Sequence, residues 1–140
     1  MATTETRVSA LDRLTALEKY APIAHVVLRI GAGLLFMQHG AQKLFGVLGG
    51  NQVELMSQMG LAGVLEFFGG LLVVLGLFTR PVAVLLVIEM LVAYVQAHLP
   101  QGGFPINNGG ELALLFAFVY FNFATRGAGM ASLDARMGKK

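Results

Sequence analysis

Apolar residues fall into four blocks, at residues 22–38, 61–78, 81–98 and about 110–124. Each block holds almost no polar position: Arg29 interrupts the first, Glu66 the second and Glu89 the third, and Glu111 stands at the start of the fourth. At 15–18 residues the blocks are too long for strands and sit at the lower limit for a helix that crosses a bilayer. Pro22 and Pro81 stand at block starts, where a helix loses no hydrogen bond to proline. Residues 79–81 allow only a tight turn between antiparallel neighbours, and 46–60 form a longer connection. Residues 99–109 carry Gly, Pro and Asn but no charge, which predicts an ordered loop with Phe104 and Ile106 packed down onto the helices. The pattern predicts an all-α membrane protein, an antiparallel bundle of four transmembrane helices.

Composition supports this reading. The chain is 56% hydrophobic and 13% charged over 140 residues, against about 45–50% and about 25% in a soluble domain. So few charges cannot cover the surface of a small water-soluble fold, and four blocks without a polar face cannot all hide inside one. There are no cysteines. This excludes thiolate nucleophiles, iron–sulfur clusters and disulfides, so any electron chemistry needs a bound cofactor or a partner. A net charge of +2 with no basic run excludes a nucleic-acid binder.

The basic residues decide orientation. Arg7, Arg13, Lys19, Arg80, Arg126, Arg136, Lys139 and Lys140 collect on one side, and Lys43 alone lies on the other. The positive-inside rule then places both termini in the cytoplasm, as four spans require. Three regions follow: a cytoplasmic segment 1–21, a helical membrane domain 22–126 and a cytoplasmic tail 127–140. The first twenty residues lack the apolar stretch and cleavage site of a signal peptide. Val8, Leu11, Leu14 and Leu17 instead suggest an amphipathic surface helix.

Charges within apolar blocks cost about 2.5–3.5 kcal/mol each at the bilayer centre, so they must pair, protonate or reach water. Counted from the block starts at about 1.5 Å per residue, Arg29 and Glu89 reach similar depth on parallel helices, which predicts a structural ion pair holding the helices in register. His39, Lys43, Glu66, His98 and Glu111 gather at the outer end, one or more from each helix. Such a pocket could take a quinone head group, a small anion or a metal. Glu66 and His39 are the candidate catalytic pair, with Lys43, His98 and Glu111 completing the ligand-binding set. A haem ligated by His39 and His98 is disfavoured, since one histidine pair is weak support, and no metal site is assigned.

Residues 28–46 with Arg29, His39, Gly40 and Lys43, then Glu66-Phe67-Phe68-Gly69-Gly70 through Gly76 to Thr79-Arg80-Pro81, then Glu89, His98 and Asn108-Gly109-Gly110-Glu111, resemble the DoxX/DoxD-like family. The likeness spans residues 22–130. It implies a four-helix protein of the bacterial inner membrane associated with redox or quinone stress, with relatives among thiosulfate:quinone oxidoreductase subunits. With the outer pocket, this leads to the expectation of a redox-linked protein that binds a quinone-like or other small ligand and is not a self-sufficient enzyme. The alternatives are a noncatalytic anchor for a soluble oxidoreductase and a small proton-coupled transporter. Expected partners are membrane lipid, a soluble or membrane oxidoreductase and a second copy of the chain.

Overall fold

The computed structural model describes residues 12–139. Helix α1 (Ala21–Phe45) continues a helical segment that starts at Asp12, so Asp12–Phe45 is unbroken. The surface helix expected over residues 8–20 is therefore, from Asp12 onward, the lead-in to α1, with Leu14 and Leu17 exposed. Its residues 8–11 lie outside the described residues. α1 stops at Gly46 in the left-handed conformation. The connection then folds back: Val53 N–H donates to Lys43 O at 2.9 Å and Gln52 Nε2 to Leu44 O at 3.0 Å, satisfying carbonyls that the helix end leaves open.

Helix α2 (Gln58–Leu75) starts where the Ser57 hydroxyl accepts the Gly60 N–H at 3.0 Å. It widens into a π turn over Leu65–Gly69. It ends in a Schellman motif, with Gly76 N–H on Val73 O and Leu77 N–H on Leu72 O. Because Gly76 stops α2 early, the interhelix turn falls at residues 76–78 rather than at 79–81. Helix α3 (Thr79–Gln101) is regular to Ala93, then loosens into a π turn over Tyr94–His98.

The 102–110 loop is ordered as expected, but by a different residue. Asn108 is buried; its Nδ2 donates to Gly102 O at 2.7 Å and its Oδ1 accepts from Gly110 N–H at 2.8 Å. Phe104 and Ile106 point outward. Helix α4 (Glu111–Arg126) follows, then a last turn α5 (Leu133–Arg136) capped by the Ser132 hydroxyl.

α1 lies along α2 and α3 along α4. The first pair approaches at backbone distance: a Cβ on Gly40 would stand 2.4 Å from Phe67 N, and one on Gly33 2.8 Å from Gly70 O. The pairs close on each other through Phe36 of α1, whose ring lies 5.0 Å from Phe116 and 4.9 Å from Tyr120 of α4. Val73, Leu86 and Phe123 complete this core. The outside is as apolar as the inside, with Val27, Leu35, Phe68, Leu85, Ile88, Val95, Phe118 and Phe121 all exposed. A continuous apolar exterior of this extent belongs in lipid. No strand occurs among the described residues, and three helices are long and apolar enough to cross a membrane. α4, at 16 residues, reaches about 24 Å, short of the roughly 30 Å of a hydrocarbon core.

Candidate functional site

Two polar centres form, at opposite ends of the bundle. At the end carrying the C-terminal tail, Arg29 is wholly buried. Its Nη1 donates to Val73 O and Val74 O, both at 2.7 Å, and its Nη2 to Ala131 O at 2.9 Å. The guanidinium thus closes the C-terminus of α2, where orphan carbonyls and the helix dipole favour a cation, and holds the tail against it. Gly76, with φ +64°, is needed here: a Cβ would stand 2.7 Å from Arg29 Nη1 and 2.4 Å from Ser132 Cβ. The tail returns the favour. Asp134 carboxylate oxygens accept the Phe78 and Thr79 N–H groups at 2.9 and 2.8 Å, capping the start of α3 from another segment. His25 Nε2 lies 2.9 Å from Gly127 O.

This geometry corrects the expected Arg29–Glu89 ion pair. Depth counted from block starts placed the two residues level. In the structure Arg29 sits beside the α2–α3 turn, whereas Glu89 lies ten residues past Thr79, about 15 Å further along. Backbone carbonyls, with the Asp134 carboxylate of the tail acting at longer range, compensate the arginine, and Glu89 takes no part.

At the other end each helix contributes a polar side chain. Lys43 of α1 bonds both carboxylate oxygens of Glu66, which the π turn of α2 aims inward. Such turns recur at functional positions because one extra residue re-aims the side chains. Glu66 is buried and Lys43 only slightly exposed. Glu89 of α3 lies within electrostatic range of both, and Tyr120 of α4 within range of both glutamates. The Glu89 carboxylate oxygens and the Tyr120 hydroxyl are buried without a hydrogen-bond partner. Leaving such groups bare costs roughly 1–3 kcal/mol each, and more for a charge.

Of the residues expected in the outer pocket, the structure brings together Lys43, Glu66 and His39, which is in electrostatic range of Glu66. His98 and Glu111 are placed differently. His98 Nδ1 meets Asn108 O at 3.1 Å and the ring stacks on Tyr94, so it serves the loop. Glu111 is exposed in the first turn of α4. Glu89 and Tyr120 join the cluster unforeseen. Depth in the sequence pairs Glu89 with Arg29, and a tyrosine among the phenylalanines of α4 reads as core; its buried hydroxyl shows only in three dimensions. Beside the cluster a cavity of about 220 Å³ opens between α1 and α4, lined by Leu35, Gln38, His39, Gln42, Leu48, Leu112 and Phe116. Among the described residues no group of three or more His, Asp or Glu is arranged to hold a metal.

The apolar exterior, with Arg29, Glu66 and the Glu89 carboxylate turned inside the bundle, defines an α-helical membrane protein. The chain belongs to the DoxX family, whose model matches residues 24–99. It is 41% identical to an uncharacterized protein of Haemophilus influenzae, over 89% of this chain and 98% of that one. It is 31% identical to an uncharacterized membrane protein of Mycobacterium tuberculosis, over its whole length and 96% of the relative. It is 27% identical to CatD of Bacillus subtilis, provisionally named an oxidoreductase, over 84% of this chain and 90% of that one. No solved structure matches.

Proposed function

We propose that this protein is a small redox-associated component of the bacterial inner membrane, spanning it four times with both termini cytoplasmic, and that the cavity beside His39 binds the head group of a quinone-like ligand. The observation that carries the reading is the cavity's composition. Leu35, Leu48, Leu112 and Phe116 supply apolar walls, and Gln38, His39 and Gln42 supply hydrogen-bonding groups along one face of α1. At about 220 Å³ it is smaller than the roughly 300–1,000 Å³ of typical ligand pockets. It suits one ring, with an isoprenoid tail leaving over the exposed Leu35 and Leu112 into lipid. His39 hydrogen-bonds a ligand oxygen, and Glu66, in range of His39, exchanges a proton with the bound ligand. Lys43, committed to Glu66, sets the charge of that carboxylate rather than attracting the ligand itself. The name of the Bacillus subtilis relative agrees with a redox setting. A chain without cysteine acts there with a partner that supplies electrons.

The test is a titration of the detergent-purified protein with a short-chain quinone, followed by ultraviolet difference spectra. Saturable binding is expected. His39→Ala and Gln42→Ala should each weaken it about fivefold, the worth of one hydrogen bond of roughly 1 kcal/mol. Absence of saturable binding, or unchanged affinity in both variants, overturns the ligand assignment and leaves a membrane anchor. Reporter fusions test the topology separately: one following the tail should read cytoplasmic, and one within residues 47–57 external.

A further inference from the structure

The cluster around Lys43 and Glu66 contains more carboxyl groups than cations. Lys43 and Glu66 satisfy each other, the ammonium bonded to both carboxylate oxygens. Glu89 is packed close enough to feel both, yet neither of its oxygens has a hydrogen-bond partner and both are buried. The groups that face it are Glu66 from α2, Lys43 from α1 and Tyr120 from α4. Lys43 is the one cation acting on it among the described residues. His39 lines the cavity and acts on Glu66, a step further from Glu89. Arg29 is taken up by three carbonyls at the opposite end. A second ionised carboxylate at this position would have no counter-charge, no hydrogen-bond donor and no water-facing edge, which a low-dielectric interior does not tolerate.

We propose that Lys43, Glu66, Glu89 and Tyr120 form a proton-binding site in which two carboxyl groups share one proton, held on Glu89 while Lys43 pairs with Glu66. The proton gives Glu89 a donor of its own and brings the net charge of the site to zero. The site follows from counting charges and partners, so it stands whatever ligand the cavity takes. Its state depends on its neighbours in a defined way. Removing the Glu66 charge releases Lys43 to pair with Glu89, which then gives up its proton to solvent. Removing the Lys43 charge takes away the cation bonded to Glu66 and acting on Glu89, so both carboxyls take a proton.

Infrared spectroscopy of the full chain in detergent at neutral pH reads this directly, because a protonated carboxyl has a carbonyl stretch that a carboxylate lacks. The wild type should show one protonated carboxyl per chain and Glu89→Gln none. Glu66→Gln should also show none, although its Glu89 is intact, and Lys43→Met should show two. His39→Gln should leave the count at one. Glu89→Gln matches the protonated acid in shape and is expected to melt within about 2 °C of the wild type, so the key variant remains measurable. The proposal is overturned if the wild type shows no protonated carboxyl, if the band survives in Glu89→Gln, or if Glu66→Gln leaves it unchanged. A missing band together with a melting temperature that rises in sodium over choline chloride would identify a bound metal cation instead, and would also overturn it.

Discussion

Replacing Arg29 by Met keeps most of the apolar stem and removes three hydrogen bonds, to the carbonyl oxygens of Val73, Val74 and Ala131. Bonds from a charged donor contribute about 1.5–3 kcal/mol each. The lower value applies here, since the guanidinium is wholly buried and gives up its hydration. The loss is then about 4–5 kcal/mol, near the roughly 3–5 kcal/mol expected when one member of a buried charged arrangement is removed. At about 4 °C per kcal/mol for a chain of this size, the melting point in detergent should fall by roughly 16–20 °C, read by size-exclusion chromatography after heating. Double-mutant cycles locate the partner. Asp134 is the carboxylate that acts electrostatically on Arg29, so Arg29→Met combined with Asp134→Asn should depart from additivity by about 0.5 kcal/mol or more. Arg29→Met combined with Glu89→Gln should be additive. Coupling to Glu89 but not to Asp134 would refute the assignment of Arg29 to the helix end and restore the ion pair.

The close approach of α1 and α2 makes Gly40→Ala an overpacking change, since its Cβ would meet Phe67 N at 2.4 Å; a loss of about 1–3 kcal/mol is expected in the same melt. Gly31→Ala, with nothing within 4 Å, should be neutral or slightly stabilising, and equal effects would contradict the packing. Burial pushes the Asp134 carboxyl up, but the Thr79 and Phe78 N–H groups, with Lys139 nearby, outweigh it and hold the group below the usual carboxylate range. Its stabilisation is therefore complete above the unfolded value of about 3.9 and fades as pH falls through the lower folded value. Proteolysis at Arg136 should accelerate only in that acid range, and Asp134→Asn should remove the acid dependence.

The helices were legible because an apolar block bounded by proline, serine and glycine carries both its helix and its caps. Lys43, Glu66 and His39 were legible as neighbours because helix spacing and span direction bring them to one end. Arg29 was misread because a search for its counter-charge considers side chains, whereas the Schellman end of α2 supplies backbone oxygens that leave no mark in composition. His98 and Glu111 stand nine residues from Glu89 and Tyr120 along α3 and α4, about 14 Å from the level of the cluster: the loop built on Asn108 holds the histidine, and the first turn of α4 exposes the glutamate. The close approach of α1 and α2 has a trace in the sequence, because the seven-residue intervals from Gly33 to Gly40 and from Gly63 to Gly70 mark matched faces.

The arginine that ties the first helix to the tail also imposes an order on biosynthesis. Arg29 leaves the ribosome 102 residues ahead of Ala131, the last carbonyl it binds. At about 5–20 residues per second the first span waits roughly 5–20 s with its guanidinium only partly satisfied, first by solvent or lipid headgroups and then by the end of α2. The first helix to be made is thus among the last to be completed. During that interval the nascent chain is a substrate for membrane quality control, and a message truncated before residue 131 would leave the arginine without the bond that finishes the bundle.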